Sequence, residues 1–275
     1  MTTRARERHP YLADAGVPRV IAHRGFVPAE LAARGIAENT RAAFTAALAA
    51  GAGYLETDCH LTRDGEVVLA HDADLARVAG DPRDIGAVDR AELDEIFADR
   101  GGLLTLQDAL QEYPEARWNI DVKSRAVAAP LGRIVARHGS RVLVTSFSDD
   151  FRRAAFEAAA GERPAILPAT SPGKRALIRV LATVSIRSRR GARRALAGLD
   201  ALQIPERQGR IRVLTPRLID AAHENGVEVH IWTINDAQRM RELAAMGVDG
   251  IVTDRTDVAV AALRPESETG ASQRP

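Results

Sequence analysis

The chain has 275 residues, a formal net charge of +1 and a hydrophobic content of 45%. That length holds one large domain or two small ones, since roughly 150 residues per domain is only a prior and α/β barrels reach about 250. A near-zero charge gives the whole-molecule field no reason to attract nucleic acid, so no nucleic-acid partner is expected. The single cysteine, Cys59, excludes an internal disulfide and reads as a small buried hydrophobe on a strand. No stretch approaches the roughly 18 apolar residues of a membrane span, and the N-terminal MTTRARERHPYLADAG has no apolar signal core. A soluble, cytoplasmic protein is therefore expected, with residues 1–18 a flexible N-terminal segment and 261–275 a disordered tail.

In chain order, the β-branched run at 19–22 ends in His23-Arg24-Gly25, placing a charged pair at the end of a first strand. After a loop over 26–37, Asn39 or Thr40 can cap a helix that Gly51 terminates. Residues 54–61 and 66–70 then form a candidate antiparallel hairpin around Arg63-Asp64-Gly65, whose Asp-Gly pair suits a two-residue turn. With Asp64 and Gly65 as the loop, opposed positions sum to 129, which pairs Thr62 with Val67 and Asp58 with His71. Glu56 and Asp58, two apart, share a face; His60 shares it too but lies nearer the turn, as a rim residue. Helical patterns follow at 90–98 and 106–113. Strand signals return at 118–123, 142–146, 165–168, 201–204, 227–233 and 250–253, most of them separated by helical patterns such as 149–160, 216–225 and 236–246.

Nine strand candidates result, but the second and third are joined too tightly to be parallel neighbours. Removing the returning arm leaves eight strands alternating with helices across a single domain, 19–260. This is the pattern of a (β/α)8 TIM barrel with an antiparallel hairpin arm after the second barrel strand. Barrel chemistry gathers at the C-terminal ends of strands, where His23 and Arg24, Glu56 and Asp58, and Asp121 and Lys123 all fall, on three consecutive barrel strands. Taken singly, each is ordinary: a strand-end histidine is usually structural, and Asp121 with Lys123 could be a plain ion pair. Their joint placement points to a site. Three carboxylates at one barrel mouth require a compensating cation, and all-oxygen ligation suits Mg²⁺ or Ca²⁺. Arg24 offers a fork for a phosphate or carboxylate, and His23 and His71 could act as general base and general acid. The combination describes phosphoryl chemistry better than acyl transfer, and Thr145-Ser146-Phe147-Ser148 is not a nucleophile elbow.

The motifs HRG (23–25), ENT (38–40), ETD (56–58), TRDGEVVLAHD (62–72), NIDVK (119–123), TSFS (145–148), HIWTIND (230–236) and MGVDGIVTD (246–254) resemble, in order, those of the glycerophosphodiester phosphodiesterase family, from about Val20 to Asp257. The resemblance implies a divalent-metal-dependent barrel that hydrolyses glycerophosphodiesters to glycerol 3-phosphate and an alcohol. By position it implies His23 and His71 as the acid/base pair, Glu56, Asp58 and Asp121 as metal ligands, Arg24 and Lys123 as phosphate contacts, and Trp232 as a wall of the substrate pocket. Two departures stand out. Asp121 occupies a position where the family usually has Glu, and Ala37 replaces the usual proline before ENT, after a loop that looks longer than typical.

Between Glu162 and Asp200 there is no acidic residue but nine cationic ones, beside the apolar run 176–186. This basic helical insertion, about 171–198, reads either as a solvated helix covering the barrel or as an interfacial helix giving peripheral contact with anionic membrane, at the inner face of a membrane for a cytoplasmic protein. Besides the leading reading, two others remain: a lysophospholipase-D-like or cyclising lyase activity on lysophospholipids, and a catalytically inactive membrane-associated barrel.

Overall fold

The computed structural model describes residues 8–13, 16 and 18–263. Eight strands form the barrel wall: β1 (Arg19–Ala22), β2 (Tyr54–Leu61), β4 (Arg117–Val122), β5 (Val142–Thr145), β6 (Ala169–Thr170), β7 (Ala201–Pro205), β10 (Glu228–Trp232) and β11 (Gly250–Thr253). They are ordered β6-β5-β4-β2-β1-β11-β10-β7, and every pair in that path is parallel. The two end strands of that order, β6 and β7, are brought together by Asp200, whose N–H donates to Thr170 O at 2.9 Å and whose carboxylate accepts from Thr170 N at 2.9 Å. Ser171 Oγ adds a bond from Gln203 N at 3.0 Å. The arm β3 (Val67–Leu69) pairs antiparallel with β2, as expected for a hairpin after the second barrel strand.

The helices are α1 (Ala29–Ala32), α2 (Arg41–Ala49), α3 (Ala76–Ala79), α4 (Arg90–Phe97), α5 (Leu106–Glu112), α6 (Arg125–Val135), α7 (Asp149–Gly161), α8 (Lys174–Ser185), α9 (Arg189–Leu196), α10 (Pro216–His223), α11 (Ala237–Ala245) and α12 (Thr256–Leu263). Their starts are written locally. Thr40, Thr105, Ser124, Ser148, Thr215 and Asp236 each accept a hydrogen bond from an N–H of the first turn of the helix that follows, satisfying a donor that has no intrahelical partner. None of these helices is long and apolar enough to cross a membrane.

Strand alternation sorts the side chains. On β2, Leu55 and Cys59 join Phe44, Trp118, Ile120 and Val122 in the core between wall and helices. Ile21, Tyr54, Leu143, Ala169, Ala201 and Val252 pack inside the barrel. Cys59 is fully buried, and burial raises its thiol pKa, consistent with the packing role expected of it.

Five expectations need correction. The hairpin pairs Cys59 with Leu69, His60 with Val68 and Leu61 with Val67, one residue off the expected register. Thr62 N–H donates to Glu66 O, so the loop has three residues, with Gly65 in the left-handed region (φ 90°) and Thr62 Oγ1 tying Asp64 to Glu66 N. The strand expected at 165–168 lies instead at Ala169–Thr170: Pro164 and Pro168 bracket the earlier stretch and carry no N–H for a ladder, and Ile166 and Leu167 are exposed. A small hairpin, β8 (Arg207–Gln208) with β9 (Ile211–Arg212), has no counterpart in the sequence reading. Within the segment expected to be flexible, Pro10–Leu12 form a 3₁₀ turn whose Tyr11 and Leu12 are buried at the N-terminal end of the barrel, because their apolar side chains close that end. The tail expected over 261–275 begins later, because residues 261–263 complete α12; residues 264–275 lie outside the described residues, as do 1–7, 14, 15 and 17.

Candidate active site

The HRG turn sets the geometry at the barrel mouth. Arg24 (φ 57°) and Gly25 (φ 85°) both occupy the left-handed region directly after β1. A Cβ on Gly25 would lie 2.8 Å from the Ala43 carbonyl carbon of α2, so only glycine fits. The turn aims Arg24 N–H at Glu56 Oε2 (2.9 Å), and its guanidinium reaches Glu38 Oε1 (3.0 Å) and Asp58 Oδ2 (3.3 Å). Asn39, also left-handed (φ 57°), donates its N–H to Arg24 O and accepts from Thr57 Oγ1 at 2.7 Å, locking ENT against ETD.

On β2 and β4 the parallel register sets Asp58 beside Asp121. Lys123 follows β4 and bridges the two, with Nζ 2.7 Å from Asp58 Oδ1 and 2.9 Å from Asp121 Oδ2. Of the other oxygens, Asp121 Oδ1 is buried without a hydrogen-bond partner, and Asp58 Oδ2 has only its 3.3 Å ion pair with Arg24 Nε, which is not aligned as a hydrogen bond. Burial, and next the negative charge of Asp58, push the Glu56 carboxyl up to about 8. Burial also raises Asp121, against the pull of Lys123. Burial alone would lower the Lys123 ammonium, but Asp121 and Asp58 outweigh it and hold it above the ordinary lysine value. Ionisation of all three carboxylates would put more negative charge at the mouth than Arg24 and Lys123 compensate, the condition a hard divalent cation relieves. In chemical kind the three carboxylates fit such an ion. Among the described residues, however, no three His, Cys, Asp or Glu side chains are gathered in the geometry of a formed metal site.

Each histidine is oriented by an acid. His23 donates Nδ1–H to Asp254 Oδ1 (2.6 Å), at the end of β11, and Asp254 is held in turn by Asn235 Nδ2 at 2.8 Å. Burial opposes the charged form of His23, yet the Asp254 hydrogen bond and the nearby Glu56 raise its pKa. His71 donates Nδ1–H to Asp72 Oδ1 (2.6 Å), and Arg77 Nε donates to Asp72 Oδ2 (2.6 Å). Burial would raise Asp72, but the hydrogen bonds from His71 and Arg77 prevail and lower it. Arg77 Nη2 also reaches Glu38 Oε1 (2.6 Å), so one guanidinium links the carboxylates behind His71 and Arg24. The one-residue shift in hairpin register does not remove His71 from the site: it lies just past β3, close enough that its charge lowers the Asp121 pKa. His60 Nε2 donates to His71 O (3.1 Å), so this residue supports the arm. At the entrance, half-buried Trp232 stacks edge-on with Phe147 (centroids 6.0 Å apart, 80°), and Phe147 is 63% exposed.

All eight residues singled out in the sequence thus lie at the C-terminal end of the barrel. Asp254, Asp72, Asn235, Phe147 and Arg77 were not singled out. Asp72 and Asp254 close two of the motifs quoted above, and an acid next to a histidine is a usable signal; Arg77 had none. A separate cavity of about 400 Å³, lined by Ala136, Gly139, Arg163 and Ile166 among others, contains none of these groups.

Comparison with known proteins gives the family. The model of the glycerophosphoryl diester phosphodiesterase family matches residues 23–258. The "Probable glycerophosphodiester phosphodiesterase 2" of Mycobacterium tuberculosis is 35% identical over 263 residues, covering 90% of this chain and 95% of that protein. The mouse protein "Lysophospholipase D GDPD3" is 28% identical over 276 residues, covering 86% of this chain and 79% of its own. Among solved structures, an Oleispira antarctica phosphodiesterase in complex with the product sn-glycerol-3-phosphate superposes with a TM-score of 0.66 at 20% identity, over 90% of this chain and 97% of that one, a likeness of fold. The chain belongs to the glycerophosphoryl diester phosphodiesterase family.

Proposed function

We propose that this chain is a metal-dependent phosphodiesterase that hydrolyses glycerophosphodiesters to glycerol 3-phosphate and an alcohol. One observation carries the reading: His23 and His71 each donate Nδ1–H to a carboxylate at 2.6 Å, beside three buried carboxylates of which Asp121 retains an unpartnered oxygen. Fixing Nδ1 leaves Nε2 of each ring for the substrate. One imidazole then takes the proton of the attacking hydroxyl, and the other protonates the oxygen of the departing alcohol. Arg24 and Lys123 bind the phosphoryl oxygens, and Trp232 walls the substrate pocket. Glu56, Asp58 and Asp121 hold the cation, Mg²⁺ or Ca²⁺, which when bound supplies charge neutralisation of the phosphodiester. Asp121, a methylene shorter than glutamate, already faces Asp58 across the β2–β4 ladder, which supports its place in that set.

Membership of the family and the full set of charged and imidazole groups at the mouth argue against a silent barrel. The likeness to a mouse protein named as a lysophospholipase D favours lysophospholipids as a second substrate class on the same site. Peripheral contact with an anionic membrane through the 171–198 segment suits that class. The deciding experiment is turnover of a panel of glycerophosphodiesters and lysophospholipids with Mg²⁺ and with Ca²⁺, with and without EDTA. Loss of turnover in EDTA with recovery on metal addition is expected; full turnover in chelator overturns the metal assignment. Phosphorus NMR of the products, linear or cyclic phosphate, identifies water or a neighbouring substrate hydroxyl as the nucleophile.

A further inference from the structure

The segment between β6 and β7 folds into two helices whose inner faces are committed to the protein. Val180, Val184, Ala192 and Leu196 are buried against the core shared with β7 and β10, with Leu177 and Leu181 partly covered beside them. The outer face of α8 is different. Ile178 (55% exposed) and Ile186 (75% exposed) stand on that face, eight residues apart, with exposed Ala182 midway. Positions four apart form one line on a helix. Arg175 and Arg179 flank that line on α8, and the turn into α9 and its exposed side add Arg187, Arg190, Arg193 and Arg194.

Of the cations on the two helices, Arg175 pairs with Asp150 at 2.6 Å and Arg189 lies 4.0 Å from Glu224. Arg179, Arg187, Arg190, Arg193 and Arg194 form no ion pair with the described residues, and the sequence provides no acid between Glu162 and Asp200. This face therefore combines uncompensated positive charge with isolated exposed isoleucines. It also begins at the site: Lys174 N–H, the first residue of α8, donates to the carbonyl of Phe147 (2.9 Å), the exposed aromatic packed on Trp232 at the entrance.

We propose that the outer face of α8 and α9 docks the protein on an anionic lipid surface, with Ile178 and Ile186 inserted among the headgroups and the arginines on lipid phosphates. Guanidinium groups form bidentate bonds to phosphate, and a juxtaposed anionic surface attracts each of them within a screening length of about 10 Å at 0.1 M salt. Only two isoleucines are available for insertion, so attachment is predominantly electrostatic and reversible. Because α8 starts against Phe147, docking places the site entrance beside the bilayer surface.

The test is flotation of the full chain with phosphatidylglycerol-containing vesicles and with pure phosphatidylcholine vesicles. Expected are binding to the anionic vesicles alone, release at about 0.5 M salt where screening is severe, and at least about a tenfold loss of binding in an Arg179→Glu, Arg190→Glu, Arg193→Glu variant. Ile178→Ser with Ile186→Ser weakens binding by a smaller factor. Both variants retain turnover of a soluble glycerophosphodiester, which shows that they are folded and that the reading of the active site stands apart from this one. Equal binding to both vesicle types, or undiminished binding by the charge-reversed variant, overturns the proposal. So does binding of duplex DNA as tight as that of the vesicles at the same salt, which would make the face a general polyanion surface.

Discussion

The two ends of the barrel interior hold buried charge in opposite ways. At the N-terminal end, the Arg19 guanidinium donates to Glu228 Oε2 (2.8 Å) and Oε1 (2.6 Å), to Tyr54 Oη (2.8 Å) and to Leu12 O (2.7 Å). Tyr54 Oη passes a bond to Tyr11 O, and His230 Nε2 meets Glu228 Oε2 at 2.9 Å. Each oxygen of Glu228 and the guanidinium of Arg19 is bonded in that knot, with the Tyr11 hydroxyl beside it buried without a partner, and although burial would raise Glu228, the bonds from Arg19 and His230 hold its carboxyl well below the usual range. At the mouth the same wall presents Glu56, Asp58 and Asp121 with an oxygen of Asp121 unpartnered, an oxygen of Asp58 held only by a 3.3 Å ion pair, and the Glu56 carboxyl raised to about 8. Buried polar groups left unmatched are costly, and they persist where something else is to be bound. The contrast between paired charge at one end and crowded carboxylates at the other supports the proposed site at the mouth.

Substitutions should separate the two ends. His23→Ala and His71→Ala at the mouth should each lose roughly a hundred- to ten-thousandfold in kcat, with the denaturation midpoint little changed; full activity in either would remove that histidine from the acid/base pair. Arg19→Met should do the reverse, losing roughly 1–3 kcal/mol of stability because Glu228 keeps only Arg8 and His230 as partners and the buried Leu12 carbonyl loses its donor, while the kcat of the folded fraction stays close to that of the parent. A denaturant titration with parallel assays reads both.

The pH dependence of stability sharpens the contrast. Glu56 in the folded chain keeps its proton up to about pH 8, whereas its ordinary value is 4.5. Between those values the folded state binds more protons than the unfolded one. The metal-free protein should therefore lose stability as pH rises through that window, by at most about 1.4 kcal/mol per pH unit. Glu56→Gln should flatten the profile; an unchanged slope would place the effect elsewhere. Glu228, with its carboxyl depressed, contributes with the opposite sign: its stabilisation is present above about 4.5 and is lost as pH falls further.

The smallest expected effect is at Arg77, which acts on the mouth only through Asp72 and Glu38. Arg77→Ala frees Asp72 and Glu38 together and should cost about tenfold in kcat/KM without altering stability. A change in the pH profile of kcat accompanying that loss would identify orientation of His71 as the cause, whereas a change in KM alone would point to Arg24.

Much of this was legible because it is periodic or local. Alternation on β2 and β4 put Glu56, Asp58, Asp121 and Lys123 inside the wall, and counting strands placed them at one end. Register was less legible: whether Thr62 belongs to the strand or the loop depends on its hydroxyl bonds to Asp64 and Glu66 N, a choice that the Asp-Gly pair does not encode. The fifth barrel strand was displaced because its two-residue length gives almost no pattern. Least legible were partners distant in sequence. Arg77 binds Glu38 39 residues away, and the Arg19–Glu228 pair spans 209 residues, so no window on the chain contains either pair.

The bond between His23 and Asp254 joins residues 231 positions apart, at the two ends of the domain. Its second member follows the last strand, β11, which zips onto β1 from Arg19↔Gly250 to Ala22↔Thr253. A chain still being synthesised can lay down the carboxylates of β2 and β4 early, but it cannot orient His23 until its final stave has emerged and closed the wall. With His23 in its proposed role, copies that lack β11 should be inactive, and the appearance of activity during synthesis would serve as a direct clock for barrel closure.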